Sequence, residues 1–291
     1  MNVYLWMLGT LLSFSLMAVS VRELSAEIHT FQMLLFRSVI GLIVITFIII
    51  KTRQFSLIKS QRLKLHALRN SFHFLGQFGW FIGIVLLPLA DVFALEFTAP
   101  LWTILIAALF LNEDITKTKV ISLILAMVGV VLIIKPSSEL FNPASLIVLL
   151  AAFSYAVAYV STKALTSTDD VITILFLMNL MQLPLALALP FSLYYWVTPD
   201  LLQFTWLAVI GITALSAHYC LTHAMKVADA STVVMLDFLR LPLIILIGIM
   251  FYQEPLSIML LVGAGLMLLA NLLNITTPAI FNHKTSLNKP R

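Results

Sequence analysis

A chain of 291 residues in which 61% are hydrophobic and only 10% are charged cannot fold as a water-soluble domain, because soluble proteins average about 25% charged residues. The mean hydropathy of +1.05 spreads the apolar surface along the whole chain, so the bilayer must be the solvent for much of it. The net charge of +4 comes from basic residues beside the apolar segments, which indicates membrane topology and gives no evidence for nucleic acid, so no nucleic-acid partner is predicted.

The apolar segments have the pattern of helices. Runs such as 39–50 and 256–273 are continuously apolar, whereas the strands of a membrane barrel would alternate polar and apolar residues. In hydrocarbon, helices satisfy every backbone polar group internally. Polar interruptions and Pro or Gly punctuation predict ten spans. These are 3–21, 30–50, 71–89, 92–111, 118–135, 144–163, 171–196, 203–224, 231–251 and 257–276.

The basic residues predict the side of the membrane on which each end of the chain lies. With the N-terminus inside, thirteen of the 17 Lys and Arg residues fall in cytoplasmic segments, only Arg22 and Lys135 fall outside, and Arg37 and Arg240 lie within spans. Positive charges in short loops stay cytoplasmic, so both termini are predicted to be cytoplasmic. The first span lacks a basic start and a convincing cleavage site, which favours a retained helix over a signal peptide.

Two segments of the chain resemble each other without a gap. The run "EFTAPLWTILIAALFLNE" (96–113) aligns with "DFLRLPLIILIGIMFYQE" (237–254): an acid and Phe open both, and an amide and Glu close both. They occupy the fourth and ninth spans, so the repeating unit has five helices, and an odd number inverts the second copy. The prediction is an all-α membrane protein with two inverted five-helix repeats, 1–140 and 141–276, and a basic cytoplasmic tail, 277–291.

These same runs resemble a known family. The stretches "LPLADVFALEFTAPLWTILIAALFLNE", "KVADASTVVMLDFLRLPLIILIGIMFYQEP" and "VGAGLMLLANLL" look like the EamA-type branch of the drug/metabolite transporter superfamily. Within that branch the chain is most similar to the group that includes S-adenosylmethionine and riboflavin uptake carriers. The resemblance implies a transporter and covers essentially the whole chain. Family members also export amino acids, drugs or other metabolites, so it leaves the direction of transport open.

Four charged residues lie within the predicted spans: Arg37, Glu96, Asp237 and Arg240. An ionised group at the bilayer centre costs about 2.5–3.5 kcal/mol on insertion scales, so all four are predicted to face the interior, with Asp237 and Arg240 paired at i, i+3. One interpretation is internal ion pairs that neutralise one another and lock helices together. The other is recognition of a zwitterion, in which Arg binds a carboxylate and the acids with aromatic rings bind a cation; either acid could also carry a coupling proton.

Polar and aromatic side chains at helical spacing on three spans are predicted to line a pore, although hydrogen bonding between helices would explain each of them as well. These candidate residues are His73, Gln77 and Trp80 on the third span with Asn70 before them, Tyr155, Tyr159 and Thr162 on the sixth, and Asn179 and Gln182 on the seventh.

No metal and no cofactor is predicted. His218 and His223 stand five residues apart, about 140° around a helix, and cannot share one ion. Gly-x-Ser-x-Gly, His-Glu-x-x-His, Gly-x-Gly-Asp and the P-loop lysine motif are absent, which disfavours an intramembrane enzyme and ATP-driven transport.

The predicted function is secondary transport of a small metabolite across the cell inner (cytoplasmic) membrane by alternating access. A zwitterion such as S-adenosylmethionine or an amino acid is the favoured substrate. The predicted partners are that solute, the lipid bilayer, and a coupling proton or counter-substrate. The alternatives are an exporter of drugs or amino acids from the same family, an intramembrane enzyme acting on lipid or peptide, and a channel.

Overall fold

A computed structural model of the chain describes residues 2–134, 143–187 and 196–276, in which the regular structure is helical. The tail 277–291 and the end of the predicted seventh span lie outside the described residues. Short 3-10 turns occupy Phe55–Ile58 and Asp237–Leu239. The helices are α1 Val3–Leu24, α2 Thr30–Thr52, α3 Leu63–Leu86, α4 Leu89–Glu96, α5 Ala99–Leu111, α6 Lys117–Ile134, α7 Pro143–Leu165, α8 Val171–Leu187, α9 Leu201–Val227, α10 Ala230–Leu236, α11 Arg240–Tyr252 and α12 Ile258–Thr276.

The described helices follow the order of the ten predicted spans when α4 is joined to α5 and α10 to α11. Six of these segments are long and apolar enough to cross a bilayer by length and composition. Outward-facing side chains are apolar, with Leu109 77% and Phe251 72% exposed. A large apolar exterior of this kind is suited to lipid tails rather than water.

The fourth and ninth spans are each two helices rather than one, which the sequence did not predict. The first break falls at Phe97 and Thr98, and the second is the 3-10 turn after α10. Pro100 has no N–H for the carbonyl of residue 96, and Pro242 has none for that of residue 238. The proline ring also crowds the same carbonyl, so each helix is interrupted within about one turn before its proline.

Helices from the two halves of the chain pack against each other in pairs. The largest contacts join α3 to α7, α1 to α9 and α6 to α12. Gly129 and Gly263 allow the last pair to approach closely, since a Cβ added to either would lie 2.6 Å from the carbonyl oxygen of the other. Small residues permit such backbone contact between membrane helices. The short helices α4 and α10 lie at the centre, and most of their side chains are buried.

Candidate functional site

Three buried charged residues meet where the broken spans cross. One guanidinium nitrogen of Arg240, Nη2, donates to Glu96 Oε1 at 2.8 Å and to Asp237 Oδ2 at 2.7 Å. The three residues are only 1%, 5% and 6% exposed, respectively. The predicted Asp237–Arg240 pair is therefore present, and Glu96 joins it from the other half of the chain. Because charge-assisted hydrogen bonds are about twice as strong as neutral ones, this triad fixes the two helix breaks against each other.

Aromatic rings surround this triad. The Arg240 guanidinium carbon lies 4.8 Å from the ring centre of Phe93 and 5.0 Å from that of Phe14. Trp80 Nε1 donates to the second oxygen of Glu96 at 2.7 Å. Asp237 Oδ1 and Arg240 Nε have no hydrogen-bond partner among the described residues. The site therefore combines two carboxylates that share one arginine, the faces of aromatic rings, and polar atoms without partners. Such groups can hold a cationic or aromatic group.

A small cavity opens beside the triad. Its water-sized space is about 10 Å³, enough for roughly one water molecule and too little for a metabolite. Six predicted site residues line it: Gln77, Trp80, Glu96, Tyr155, Tyr159 and Arg240. Three residues that were not predicted also line it: Phe14, Met17 and His218.

A chain of polar side chains extends from this cavity along α3. Arg37 Nη1 donates to Gln182 Oε1 at 3.1 Å. The Gln182 amide nitrogen lies 2.7 Å from His73 Nδ1, and the Gln77 amide nitrogen lies 3.5 Å from His73 Nε2. The His73 ring centre is 4.5 Å from that of His218. Three predicted residues from two spans, His73 and Gln77 on α3 and Gln182 on α8, are thus brought together with Arg37, as a convergent polar stripe requires.

Arg37 does not fit the predicted neutralisation of two positive by two negative charges. It is 1% exposed, and its Nε and Nη2 atoms have no hydrogen-bond partner in the described part of the chain. The prediction was wrong because both carboxylates, Glu96 and Asp237, are bonded to Arg240 instead. The Arg37 side therefore carries a buried positive charge without a carboxylate partner among the described residues, although buried charges are usually paired.

Arg69 is a buried residue that the sequence analysis assigned to a cytoplasmic loop. The helix α3 begins at Leu63, eight residues before the predicted span, and this places Arg69 at 2% exposure. Its Nε donates to Thr162 Oγ1 at 3.1 Å and its Nη1 to Asn70 Oδ1 at 2.7 Å. The spacing of four residues from Arg69 to His73 was the signal for this position, because residues i and i+4 share a helix face.

Asn179 is a predicted residue that neither lines the cavity nor bonds the polar chain along α3. Its amide nitrogen donates to the carbonyl oxygen of Leu175 on its own helix at 2.9 Å. Its side chain also fills the space over Gly41, where an added Cβ would lie 2.3 Å from Asn179 Oδ1. These contacts are those of a packing residue between α2 and α8.

One end of the helical bundle is closed by Glu254, just after α11. Its Oε1 accepts from the backbone N–H of Leu89 at 2.7 Å, and its Oε2 lies 3.5 Å from the backbone nitrogen of Ala90. These amides form the N-terminus of α4, where a carboxylate is stabilised by unpaired N–H groups and the helix dipole. Gly248 leaves room for this carboxylate, because a Cβ there would meet Glu254 Oε2 at 2.5 Å.

The opposite end is closed by Glu113 in the same way. Its Oε1 accepts from the N–H of Ala230 at 2.8 Å, and its Oε2 accepts from the Ser231 hydroxyl at 2.6 Å, at the N-terminus of α10. Each glutamate follows a residue in the left-handed conformation, Asn112 at φ 54° or Gln253 at φ 52°. The two aligned sequence segments therefore end in the same cap, and each cap holds the start of the other broken span.

A second contact at the Glu113 end joins the start of α3 and the segment before it to the loop between α7 and α8. Asp169 Oδ2 accepts from the Ser60 hydroxyl and lies 2.6 Å from His66 Nε2. Burial on its own would raise the pKa of the Asp169 carboxyl, but the hydrogen bonds from Ser60 and His66 outweigh it and leave this pKa below its ordinary value. The loop is thus held by an ionised carboxylate.

Comparison with known proteins connects this geometry to a family. The model of the EamA-like transporter family matches residues 1–135 and again residues 142–276. The chain belongs to the EamA-like transporter family. An S-adenosylmethionine uptake transporter of Rickettsia bellii (strain RML369-C) is 27% identical over 98% of this chain and 95% of its own length. A riboflavin transporter of Brucella anthropi is 31% identical over 74% of this chain and 77% of its own length.

A solved crystal structure shares the fold of this EamA-family chain. It covers 93% of this chain and 95% of its own chain with a TM-score of 0.73 at 17% identity. The predicted resemblance to the EamA-type branch is confirmed, and the chain is a multi-pass membrane transporter. The relatives are named as transporters, which points to a small-molecule substrate and away from an enzyme.

Proposed function

We propose that this EamA-family transporter moves a small zwitterionic metabolite across the cytoplasmic membrane by alternating access. S-adenosylmethionine and amino acids are the candidate substrates, and a proton or a counter-substrate drives the exchange. The observation that carries the proposal is the buried triad of Glu96, Asp237 and Arg240 beside an aromatic cavity. Charges in the interior of a membrane protein mark the path of a substrate or ion.

The cavity and the polar chain that links Gln77 to Arg37 are together called the chamber. Its polar groups suit a solute that carries opposite charges. Asp237 Oδ1 is an unpartnered acceptor beside aromatic rings, and it is available to an ammonium or sulfonium group. Arg37 supplies unpartnered N–H donors on the other side, and a guanidinium binds a carboxylate with two parallel hydrogen bonds. The Rickettsia bellii relative is named as an S-adenosylmethionine uptake transporter. Since S-adenosylmethionine carries both kinds of charge, it is the first candidate substrate.

The closed chamber supports a mechanism with moving helices. A cavity of about 10 Å³ admits no metabolite, while Glu254 holds one end and Glu113 the other. Release of the Glu254 contact alone would open one side, and release of the Glu113 contact alone would open the other. Alternating access requires only that the two releases exclude each other.

Several observations support two inverted halves, 1–140 and 141–276, followed by the tail 277–291. The family model matches twice. Each broken span ends where the other begins, as antiparallel copies would. The first and third spans of one half are α1 and α3, and those of the other half are α7 and α9. Since α3 packs on α7 and α1 packs on α9, the third span of each half packs on the first span of the other. The distribution of Lys and Arg adds cytoplasmic termini to this scheme.

Uptake into proteoliposomes tests the proposal. Purified protein is reconstituted, and entry of labelled S-adenosylmethionine, amino acids and riboflavin is measured with and without a proton gradient or internal counter-substrate. We expect saturable entry of a zwitterion, which Asp237→Asn and Arg37→Ala each abolish. The matched control is Glu27→Gln, because Glu27 bonds Gln203 at an exposed end of the bundle. Normal transport by both site variants would overturn the site assignment, and unsaturable flux would indicate a channel.

A further inference from the structure

The buried charges around the chamber do not balance. Three guanidinium groups, Arg37, Arg69 and Arg240, are each 1–2% exposed, whereas Glu96 and Asp237 are the two carboxylates bonded among them, and both bond Arg240. Within residues 2–134, 143–187 and 196–276, no carboxylate lies within 4.0 Å of Arg37 or Arg69. One positive charge is therefore left over in an interior where charge is costly.

The two unpaired arginines belong to one polar region. Arg37 is linked through Gln182 to His73, and Arg69 lies one helical turn before His73 on the same face of α3. The acceptors bonded to them are neutral: the Gln182 amide, the Thr162 hydroxyl and the Asn70 amide. Neutral acceptors satisfy hydrogen bonds but leave the charge uncompensated.

We infer that Arg37 and Arg69 together form an anion subsite that binds an oxyanion group of the transported solute, such as a carboxylate. This inference rests on the proposed transport function and adds Arg69 to the binding residues. The bound anion would supply the missing negative charge, and the unpartnered Nε and Nη2 atoms of Arg37 would donate to it. If the solute supplies the negative charge, the two arginines need no carboxylate from the described part of the protein.

The spacing along α3 defines the shape of the solute. The level of His73, which is joined through Gln182 to Arg37, and the level of Trp80, which donates to Glu96 of the triad, are seven residues apart on α3, and Arg69 lies one turn farther from the triad. At 1.5 Å per residue these levels are about 10 Å apart. The charges of a short α-amino acid are too close together to reach both levels. The subsite therefore selects an extended solute with an oxyanion at one end and a cationic or aromatic group at the other.

A pair of ligands that differ by one carboxylate tests the subsite. Thermal stability of the full chain in detergent is measured with S-adenosylmethionine, with decarboxylated S-adenosylmethionine, with glycine and with sodium sulfate, since a ligand of the folded state raises stability. We expect S-adenosylmethionine to bind at least tenfold more tightly than its decarboxylated form, because charged hydrogen bonds are lost with the carboxylate. Glycine should give no shift.

Arg69→Gln should abolish this tenfold preference while leaving the affinity for the decarboxylated form within about twofold, and Arg69→Lys should recover part of it, because lysine keeps the charge without the planar fork. The control Arg53→Gln changes an arginine outside the subsite and should keep the preference. Equal binding of the two forms by the unmodified protein, binding of neither, or a preference that survives in Arg69→Gln overturns the inference.

The sulfate arm separates a solute from an inorganic ion. A shift with sulfate and none with S-adenosylmethionine would place an inorganic anion at the arginines and overturn the assignment to the solute. Uptake by the same preparations separates the two proposals. Saturable uptake with no carboxylate preference rejects the subsite alone, whereas binding with that preference but without any uptake rejects the transport function.

Discussion

Replacement of Arg240 by methionine should destabilise the protein more than removal of one side chain implies. The change leaves Glu96 and Asp237 buried without their shared cation, and it removes the positive charge that lies over the rings of Phe93 and Phe14. Breaking a buried ion pair by deleting one partner costs about 3–5 kcal/mol, because the remaining charge is unpaired. Two charge-assisted hydrogen bonds at about 1.5–3 kcal/mol each give about 3–6 kcal/mol, which overlaps this range.

Thermal unfolding followed by tryptophan fluorescence would measure this loss. We expect Arg240→Met to lower Tm by at least about 6 °C, from about 2 °C for each kcal/mol in a chain of this size. The triple variant Arg240→Met, Asp237→Asn, Glu96→Gln should recover most of the loss, since it leaves no unpaired charge buried among these three positions. A triple variant no more stable than the single one would refute the reasoning, and Arg53→Met serves as the control outside the triad.

Three further predictions concern the ends and the interior packing. Glu254→Ala should speed hydrogen exchange at the amide of Leu89, which donates to it, whereas Glu113→Ala should leave that amide protected; equal exchange in both variants would contradict separate end contacts. Gly129→Leu should separate α6 from α12 and cost about 1–3 kcal/mol through overpacking, and an unchanged Tm would show that the helices do not touch there. Asp169→Asn should lower stability at neutral pH but not in acid, because a carboxyl with a depressed pKa stabilises the fold above its ordinary value of 3.8 and loses that effect as pH falls through its folded pKa; a difference that persists in acid would contradict this.

The sequence predicted the order of the helices because hydropathy reports burial in lipid directly. It also predicted the Asp237–Arg240 pair, since positions i and i+3 share a helix face. The helix breaks at residues 97–98 and 237–239 were missed, although Pro100 and Pro242 follow them closely in the sequence. A proline acts on the carbonyl four residues earlier, so the helix is interrupted before the position of the proline itself.

The chemistry of the site was less predictable than the fold. Arg69 was counted as a loop residue because a hydropathy window excludes the polar first turns of α3. Whether Glu96 would bond Arg37 or Arg240 depends on which helices cross, and no local spacing contains that information. The role of Glu113 and Glu254 was equally hidden, since a carboxylate that caps a distant helix leaves no pattern at its own position.

Alternating access to the chamber can be tested by measuring how a reagent reaches it from each side of the membrane. Tyr159→Cys in a Cys220→Ser background places a single thiol on the cavity wall, and a membrane-impermeant thiol reagent is applied to oriented vesicles from one side or the other, with and without S-adenosylmethionine. We expect that reagent on either side labels the thiol over time, that labelling from the two sides is never simultaneous, and that the solute slows it. Simultaneous access from both sides, or labelling that the solute leaves unchanged, would contradict a carrier with its binding site in this chamber.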